Sequence, residues 1–243
     1  MSAPTVDWTS FANTYDMFLE YNPAYQEILR DSLAEVGAWR LPPGGWIADL
    51  GAGTGNLSLP ACRLHPRARV LHLDGDPAML ALARDKWART RQRHSDAGNL
   101  ALVRGLAQQA GIRPGSLSGA ISVHMLYAVP EPEAVLRALA TWLRPGARAV
   151  LCDLGRVVDL WDWRLFFLRY LGKRVGLPAT ARILWQGREI ARQNKIIRAR
   201  QREGVYWTHS LEEFAAAVRR AGLRVVTAKT CNRGYSDFVV AER

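Results

Sequence analysis

Cysteine is scarce in this chain. Cys62, Cys152 and Cys231 lie far apart, odd in number and with no Cys-x-x-Cys pair. This argues against a disulfide framework or a zinc site, and the usage suits a reducing compartment. His65, His72 and His94 show no metal-ligand spacing, so no metal is expected. Long apolar runs are missing too: no uncharged stretch reaches the length of a membrane span. Residues 1–7 lack the basic and apolar regions of a secretory signal. The expectation is a soluble, cytoplasmic protein. Acidic residues are few beside basic ones, 22 against 33, leaving a net charge of +11. The excess is local: residues 156–203 hold twelve Lys/Arg and four Asp/Glu. No internal repeat or low-complexity tract is visible.

At 243 residues and 49% hydrophobic content, the chain can bury a full core. Its organising stretch is 46–80. An apolar run, Trp46-Ile47-Ala48, reads as a buried strand ending at Asp49-Leu50, followed by Gly51-Ala52-Gly53-Thr54-Gly55. Glycines packed this tightly suit a sharp strand-to-helix turn, because they accept positive φ and leave room for a ligand. The turn's amides face whatever sits above the strand ends. A second strand, 69–73, ends at Asp74. A carboxylate there can accept two hydrogen bonds from a ribose diol, the geometry of nucleoside binding at the carboxyl edge of a parallel sheet.

The nucleoside class follows from what is missing. The dinucleotide fingerprint wants a third glycine where Asn56 stands, and no Gly-Lys-Ser/Thr completes a phosphate loop. The match is Asp-x-Gly-x-Gly-x-Gly, from Asp49 to Gly55. An acid two residues before the first glycine repels a pyrophosphate and attracts an ammonium. This resembles the first motif of the class I S-adenosylmethionine-dependent methyltransferases, small-molecule type. Residues 70–80, with Asp74 and Asp76-Pro77-Ala78-Met79-Leu80, resemble the second. The resemblance covers 40–155 and resumes over 208–240. It implies an α/β, Rossmann-like fold: a seven-stranded, mostly parallel sheet with helices on both faces and a final antiparallel hairpin strand. It implies S-adenosyl-L-methionine as cofactor, held by Tyr15, Asp49, Gly51, Ala52, Gly53, Asp74, Gly75, Met79, Leu106, Ala107 and His124.

The rest of the chain is read around that stretch as one domain, 1–243. Within 1–40, Phe11, Tyr15 and Phe18 share a helical face. This is either a packed helix or the aromatic lid the family often has. Asn22-Pro23 starts a helix with the stripe Tyr25, Ile28, Leu29, Leu33, Val36. Pro60 should kink or shorten the helix after the glycine turn, and Asp76-Pro77 opens one reaching about residue 93. That helix has a basic outer face including Lys86, read as solvated. Strands are expected at 100–103, 120–125 and 147–152. After the third strand the family's acid is absent, because Leu106 follows Gly105. Adenine is then left to backbone groups and apolar packing, or to Gln108 or Gln109. A helix opens at Glu131-Pro132. Ser210-Leu-Glu-Glu213 is a capping box. Strands at 223–231 and 235–241 are joined by Asn232-Arg233-Gly234.

Residues 156–206 lie outside the resemblance, at the place where small-molecule methyltransferases often insert a substrate cap. A helix over 160–171 carries Trp161, Trp163, Phe166, Phe167 and Tyr170, broken by Gly172 to Pro178. A second helix spans 186–202. The basic aromatic surface is a solvated face, a site for an acidic substrate, or a peripheral contact with an anionic membrane. Acceptor contacts are expected from Tyr25, Tyr127, Arg164, Phe167 and Arg169.

Methyl transfer from a sulfonium needs the nucleophile held in line, with a base only if it is protonated. His124, at the end of the fourth strand, is either that base or a residue giving only its carbonyl. Tyr127 either hydrogen-bonds the acceptor or lines the pocket. His209 reads as structural, and Asp153 either touches substrate or caps a loop. The activity expected is methyl transfer to a small molecule. RNA methylation is the first alternative, although the Asp/Asn/Ser-Pro-Pro-Tyr signature of base-amino methylation is absent. A non-methylating S-adenosylmethionine-binding protein is the second. The sequence leaves the oligomeric state unknown.

Overall fold

The structure, a computed structural model, describes residues 6–93 and 98–243, apart from the side chains of Phe11, Asn13 and Phe18. His94 and two of the three expected N-terminal rings therefore lie outside the described residues.

Two helices, α1 (Trp8–Tyr21) and α2 (Pro23–Gly37), come first. Asp7 caps α1 by accepting from the Ser10 amide, and Asn22 caps α2 by accepting from the Tyr25 amide, with Pro23 in the first turn. The strands β1 (Trp46–Leu50), β2 (Arg69–Asp74) and β3 (Asn99–Arg104) follow, with α3 (Ser58–Leu64) and α4 (Pro77–Arg93) between them. Then come β4 (Leu117–Val123), α5 (Pro132–Trp142) and β5 (Leu143–Leu154). Among the described residues the sheet has seven strands in the order β3-β2-β1-β4-β5-β7-β6, where β6 is Arg224–Cys231 and β7 is Ser236–Glu242. Strands β1 to β5 pair in parallel, and β7 runs antiparallel to β5 and β6. The strand order reverses between β1 and β4, so a crevice opens beyond their carboxyl ends.

Apolar side chains fill both faces of the sheet. On one, Leu136 and Leu139 of α5 and Phe214 and Val218 of α9 (Leu211–Arg220) pack on Leu50, Leu151 and Val239. On the other, Ile28 and Val36 of α2, Leu59 of α3 and Trp87 of α4 cover Ile47, Val70 and Ile121. The expected capping box opens α9: the Ser210 hydroxyl accepts from the Glu213 amide, and the Glu213 carboxylate accepts from the Ser210 amide. Asn232, Arg233 and Gly234 all take positive φ to close the last hairpin.

Several boundaries differ from the sequence expectation. Strand β4 begins at Leu117, not Ala120, and ends at Val123, before His124. His124 has left the strand, at φ 54°. Strand β5 is twelve residues long and runs through Gly146, whose φ of 75° turns the chain where the ladder with β4 shifts register, from Leu117–Leu143 to Gly119–Arg148. Helix α6 (Leu160–Val175) passes through Gly172 and stops at Gly176, φ 79°. A mid-helix glycine costs about 1 kcal/mol against alanine, less than the burial of Phe167 and Leu171 returns, at about 1.5–3 kcal/mol each. Pro178, expected to mark a break, instead sits in the first turn of α7 (Leu177–Gln186), a helix the sequence reading lacked. Helix α8 (Arg188–Arg202) completes the 156–206 segment.

Candidate active site

The crevice beyond β1 and β4 opens into a cavity of about 1330 Å³. Its floor is the glycine turn. Gly51 sits at φ 66°, and a Cβ there would run into the Met125 side chain, so the close approach of the two loops needs glycine. Gly53, at φ 56°, donates its amide to Asp74 Oδ2 at 2.8 Å. Asp74 Oδ1 accepts from the Asp76 amide at 2.8 Å. Burial raises the Asp74 carboxyl above its ordinary value, and these two amides pull it back down. A carboxylate has about four acceptor positions, so two remain for a ligand.

Asp49 lies at the end of β1 and is almost fully buried, and its Oδ2 has no hydrogen-bond partner among the described residues. Burial pushes its carboxyl up to about 7, against hydrogen bonds from Ser58. A ligand cation beside it would favour the ionised form. Binding of an ammonium-bearing ligand should therefore release a proton at pH 6, and affinity should fall as pH drops below about 7. Calorimetry at pH 6 in buffers of different ionisation heat measures that proton; none released would mean the ligand's cation sits elsewhere.

Helix α1 is clasped to the turn by a group the sequence reading missed. Asp16 accepts from Thr54 Oγ1 at 2.6 Å and from Asn56 Nδ2 at 3.2 Å, and pairs with Lys86 Nζ at 2.6 Å. Lys86 also donates to Thr54 and Asn56. Lys86 is thus a tie between α4, α1 and the turn, not a member of a solvated face. The clasp sets Tyr15 on the cavity wall, where its hydroxyl donates to that of Tyr25 at 3.1 Å. Burial raises both phenols, Tyr15 to about 12, so both are neutral hydrogen-bonding groups.

Ala52, Gly75, Met79, Leu106 and Ala107 line the same end. Leu106 is 45% exposed, and a Cβ on Gly75 would meet its Cδ2 at 2.7 Å. Gly75 thus lets Leu106 lie flat over the end of β2 as an apolar plate. Gln108 reaches this wall; Gln109 is not among its lining residues.

At the other end stand His124 and Tyr127. His124 Nε2 is 2.9 Å from Ser236 Oγ, which accepts from Asn232 Nδ2 at 3.0 Å. Ser236 thus occupies Nε2 in either tautomer, and Nδ1 is the ring nitrogen left for a ligand. Burial lowers the imidazole to about 4, so it is neutral at pH 7. Tyr127 is buried, edge-on to Tyr206 with ring centroids 5.4 Å apart. Arg164 and Phe167 of α6 line the same cavity, as do residues of α7 and α8. Arg169 does not: it lines a separate small depression with Asp162, Tyr170 and Lys173.

Beneath Tyr127 lies a buried ionic group. His209 Nδ1 is 3.3 Å from Asp237 Oδ2, and its Nε2 is 3.7 Å from Asp153 Oδ2. Arg156 also pairs with Asp237. Burial pulls the imidazole down, but the two carboxylates outweigh it and push the group up to about 9. Arg156 begins the 156–206 segment and His209 follows its end, so the cluster pins both roots to β5 and β7. Asp153 faces this cluster.

Residues 48–151 match the family described as "Methyltransferase domain". Over that stretch the chain is similar to the class I S-adenosylmethionine-dependent methyltransferases. S-adenosyl-L-methionine is the methyl donor of that family. The chain is 33% identical over 114 residues to the ubiquinone biosynthesis O-methyltransferase of Xanthomonas campestris pv. campestris, covering 47% of this chain and 45% of that one. It thus spans about half the length of the curated relatives it matches. In fold it resembles a chain of the Haloferax volcanii complex between the Trm112 methyltransferase activator and a methyltransferase (TM-score 0.63, 16% identity, 99% of each chain). It also resembles an Aquifex aeolicus SAM-dependent methyltransferase (TM-score 0.58, 15% identity, 96% of this chain and 97% of that one). The residues present fit the family's cofactor. Asp49 offers a buried oxygen without a partner for a cation, and Asp74 keeps two acceptor positions beside an amide-lined turn.

Proposed function

We propose that this protein transfers a methyl group from S-adenosyl-L-methionine to a small-molecule acceptor, acidic or lipophilic, bound under a cap formed by residues 156–206. The observation that carries the reading is the continuity of one cavity. It runs from the glycine turn and Asp74 to Tyr127, Phe167 and the basic face of α8. The O-methyltransferase relatives support a small-molecule acceptor.

The cofactor supplies the electrophile and the leaving group. In this reading the chain's own residues do three things. Asp74 takes the ribose diol, Asp49 the ammonium, and Leu106 with Ala107 packs on the adenine. Tyr15, held by Asp16 and Lys86, closes the near side as a lid. Tyr25 and Tyr127 border the acceptor space, and the cap excludes water, so the acceptor atom is held in line. Cys152 and Cys231, distant in sequence, meet in the fold with their sulfurs 3.7 Å apart; a cytoplasmic setting is part of the proposal.

A screen of small phenols, carboxylic acids and phosphates, read by formation of S-adenosylhomocysteine, tests the proposal. Turnover that disappears in Asp74→Ala supports it. Cofactor binding with no turnover on any extract would favour a binding protein, and nucleic acid that co-purifies and dissociates steeply with salt would favour RNA methylation.

His124 has a specific expectation. Its φ of 54° is one that asparagine tolerates, so His124→Asn should keep the backbone. If the imidazole takes the acceptor's proton, kcat should fall by about 10²-fold or more with cofactor affinity unchanged. Because the group titrates near 4, the wild-type rate should show no acid limb from it above pH 5. Full activity in His124→Asn would leave it a packing residue.

A further inference from the structure

The wall that α8 presents to the cavity is charged in one sense. Arg188, Lys195, Arg198 and Arg202 line it at helical spacing, with Ala191 and Asn194 between. The cavity's lining carboxylates, Asp49, Asp74 and Asp76, all come from the ends of β1 and β2; α6, α7 and α8 contribute none. The cations differ in how they are held. Arg188 lies on the Trp185 ring and donates to the Trp185 carbonyl. Arg164 lies on Trp161, and Arg192 pairs with Glu189 at 3.5 Å. Among the described residues Arg198 is held by no such contact. Its Nε is buried and has no hydrogen-bond partner among the described residues.

Position along α8 separates this cation from the cofactor end. Ile190 packs with Met79, beside the end of β2. Ile197, next to Arg198, packs with Tyr127 and Val158. Seven residues of helix separate the two contacts, about 10 Å. Arg198 therefore lies at the Tyr127 end, where the acceptor space is. The walls around it are apolar: Val158, Leu160, Trp163 and Phe167 line the same end. A guanidinium nitrogen taken out of water without a partner is costly. A planar fork in an apolar wall suits a carboxylate, sulfonate or phosphate oxygen pair.

We infer that Arg198, supported by Lys195 one turn earlier, grips the anionic group of an amphipathic acceptor whose apolar body lies against Trp163 and Phe167. This rests on the methyl-transfer reading and deepens it: the substrate class is an aromatic or aliphatic anion, not a neutral lipid. Arg198 is on this account a specificity residue, the group that decides which acceptor enters.

The test uses two fluorescent probes of one ring skeleton, anilinonaphthalene sulfonate, which is anionic, and N-phenyl-1-naphthylamine, which is neutral. Both are titrated into the full chain saturated with S-adenosylhomocysteine. Binding elsewhere on the surface is common to all variants and drops out of the comparison. Arg198→Gln should weaken the sulfonate by about tenfold or more while shifting the neutral probe less than twofold. Arg198→Lys should lie between, since it keeps the charge and loses the fork. Equal loss of both probes would make Arg198 a packing residue, and no loss of either would remove it from the site. Weakened S-adenosylhomocysteine in Arg198→Gln, with probe preference intact, would assign the arginine to the cofactor's carboxylate. All three overturn the inference, whereas failure of the wild-type chain to bind S-adenosylhomocysteine overturns the methyl-transfer reading instead.

Discussion

Replacing Asp74 by alanine should abolish measurable S-adenosylhomocysteine binding by calorimetry. The carboxylate has two jobs. Its oxygens hold the Gly53 and Asp76 amides, each at 2.8 Å, and so fix the glycine turn against the end of β2. Its remaining acceptor positions face the cavity, where a ribose diol would donate twice. Hydrogen bonds to a charged group contribute about 1.5–3 kcal/mol each. Loss of the diol pair alone then amounts to roughly 10²- to 10⁴-fold in affinity. Releasing the turn adds to that, because two amides lose their acceptor. Asp74→Asn separates the jobs: it keeps one acceptor oxygen and loses the charge, so it should bind weakly rather than not at all. Circular dichroism and melting temperature should stay near wild type for Asp74→Asn. Unchanged affinity in Asp74→Ala would refute the ribose role and with it the location of the cofactor.

Much of this half of the site was legible before any coordinates. The glycine turn and the acids at 49 and 74 are local features, and local features carry their own geometry: a buried strand, a bend needing positive φ, a carboxylate at the next strand tip. The final hairpin and the α9 capping box were legible for the same reason. What stayed hidden depends on partners distant in sequence. Lys86 looks like one more base on a polar helix face, and only the approach of Asp16, seventy residues earlier, makes it a tie. His124 looks like a strand residue, because nothing in the sequence says that β4 ends two residues sooner, at Val123. Helix α7 was masked by Pro178, which is a breaker inside a helix and a starter in its first turn. Arg169 and Arg198 carry the same charge in the same basic stretch, and the rotation of two helices decides which one meets the cavity.

The largest effect on stability should come from His209→Ala. Its imidazole is buried between Asp153 and Asp237, both fully buried. Removing it leaves Asp153 without its cation, while Asp237 keeps Arg156 and the Thr230 hydroxyl. Breaking a buried ion pair by deleting one partner costs about 3–5 kcal/mol, since the remaining charge stays desolvated. In a domain of this size that lowers the melting temperature by about 10 °C. The dependence on pH has a definite sign. The folded imidazole titrates near 9, above its ordinary value of 6.5. Its contribution is therefore fully present below about 6.5 and is lost as pH rises through about 9. Asp153, raised to about 6 chiefly by burial, is ionised above that, so the pair is ionic from about 6 to 9. The gap in melting temperature between wild type and His209→Ala should be widest near pH 6 to 6.5, narrow as pH rises toward 9 and close above it. Adding Asp153→Asn to His209→Ala should recover part of the loss, because the stranded charge is gone. A gap that does not vary with pH would mean the imidazole contributes packing on Trp207 and Phe214, with ring centroids at 4.5 and 4.6 Å, and no charge. The cluster roots both ends of the 156–206 segment. The single mutant's cofactor affinity at 20 °C should therefore hold while its acceptor KM rises, which ties a buried charge below the sheet edge to the shape of the acceptor space above it.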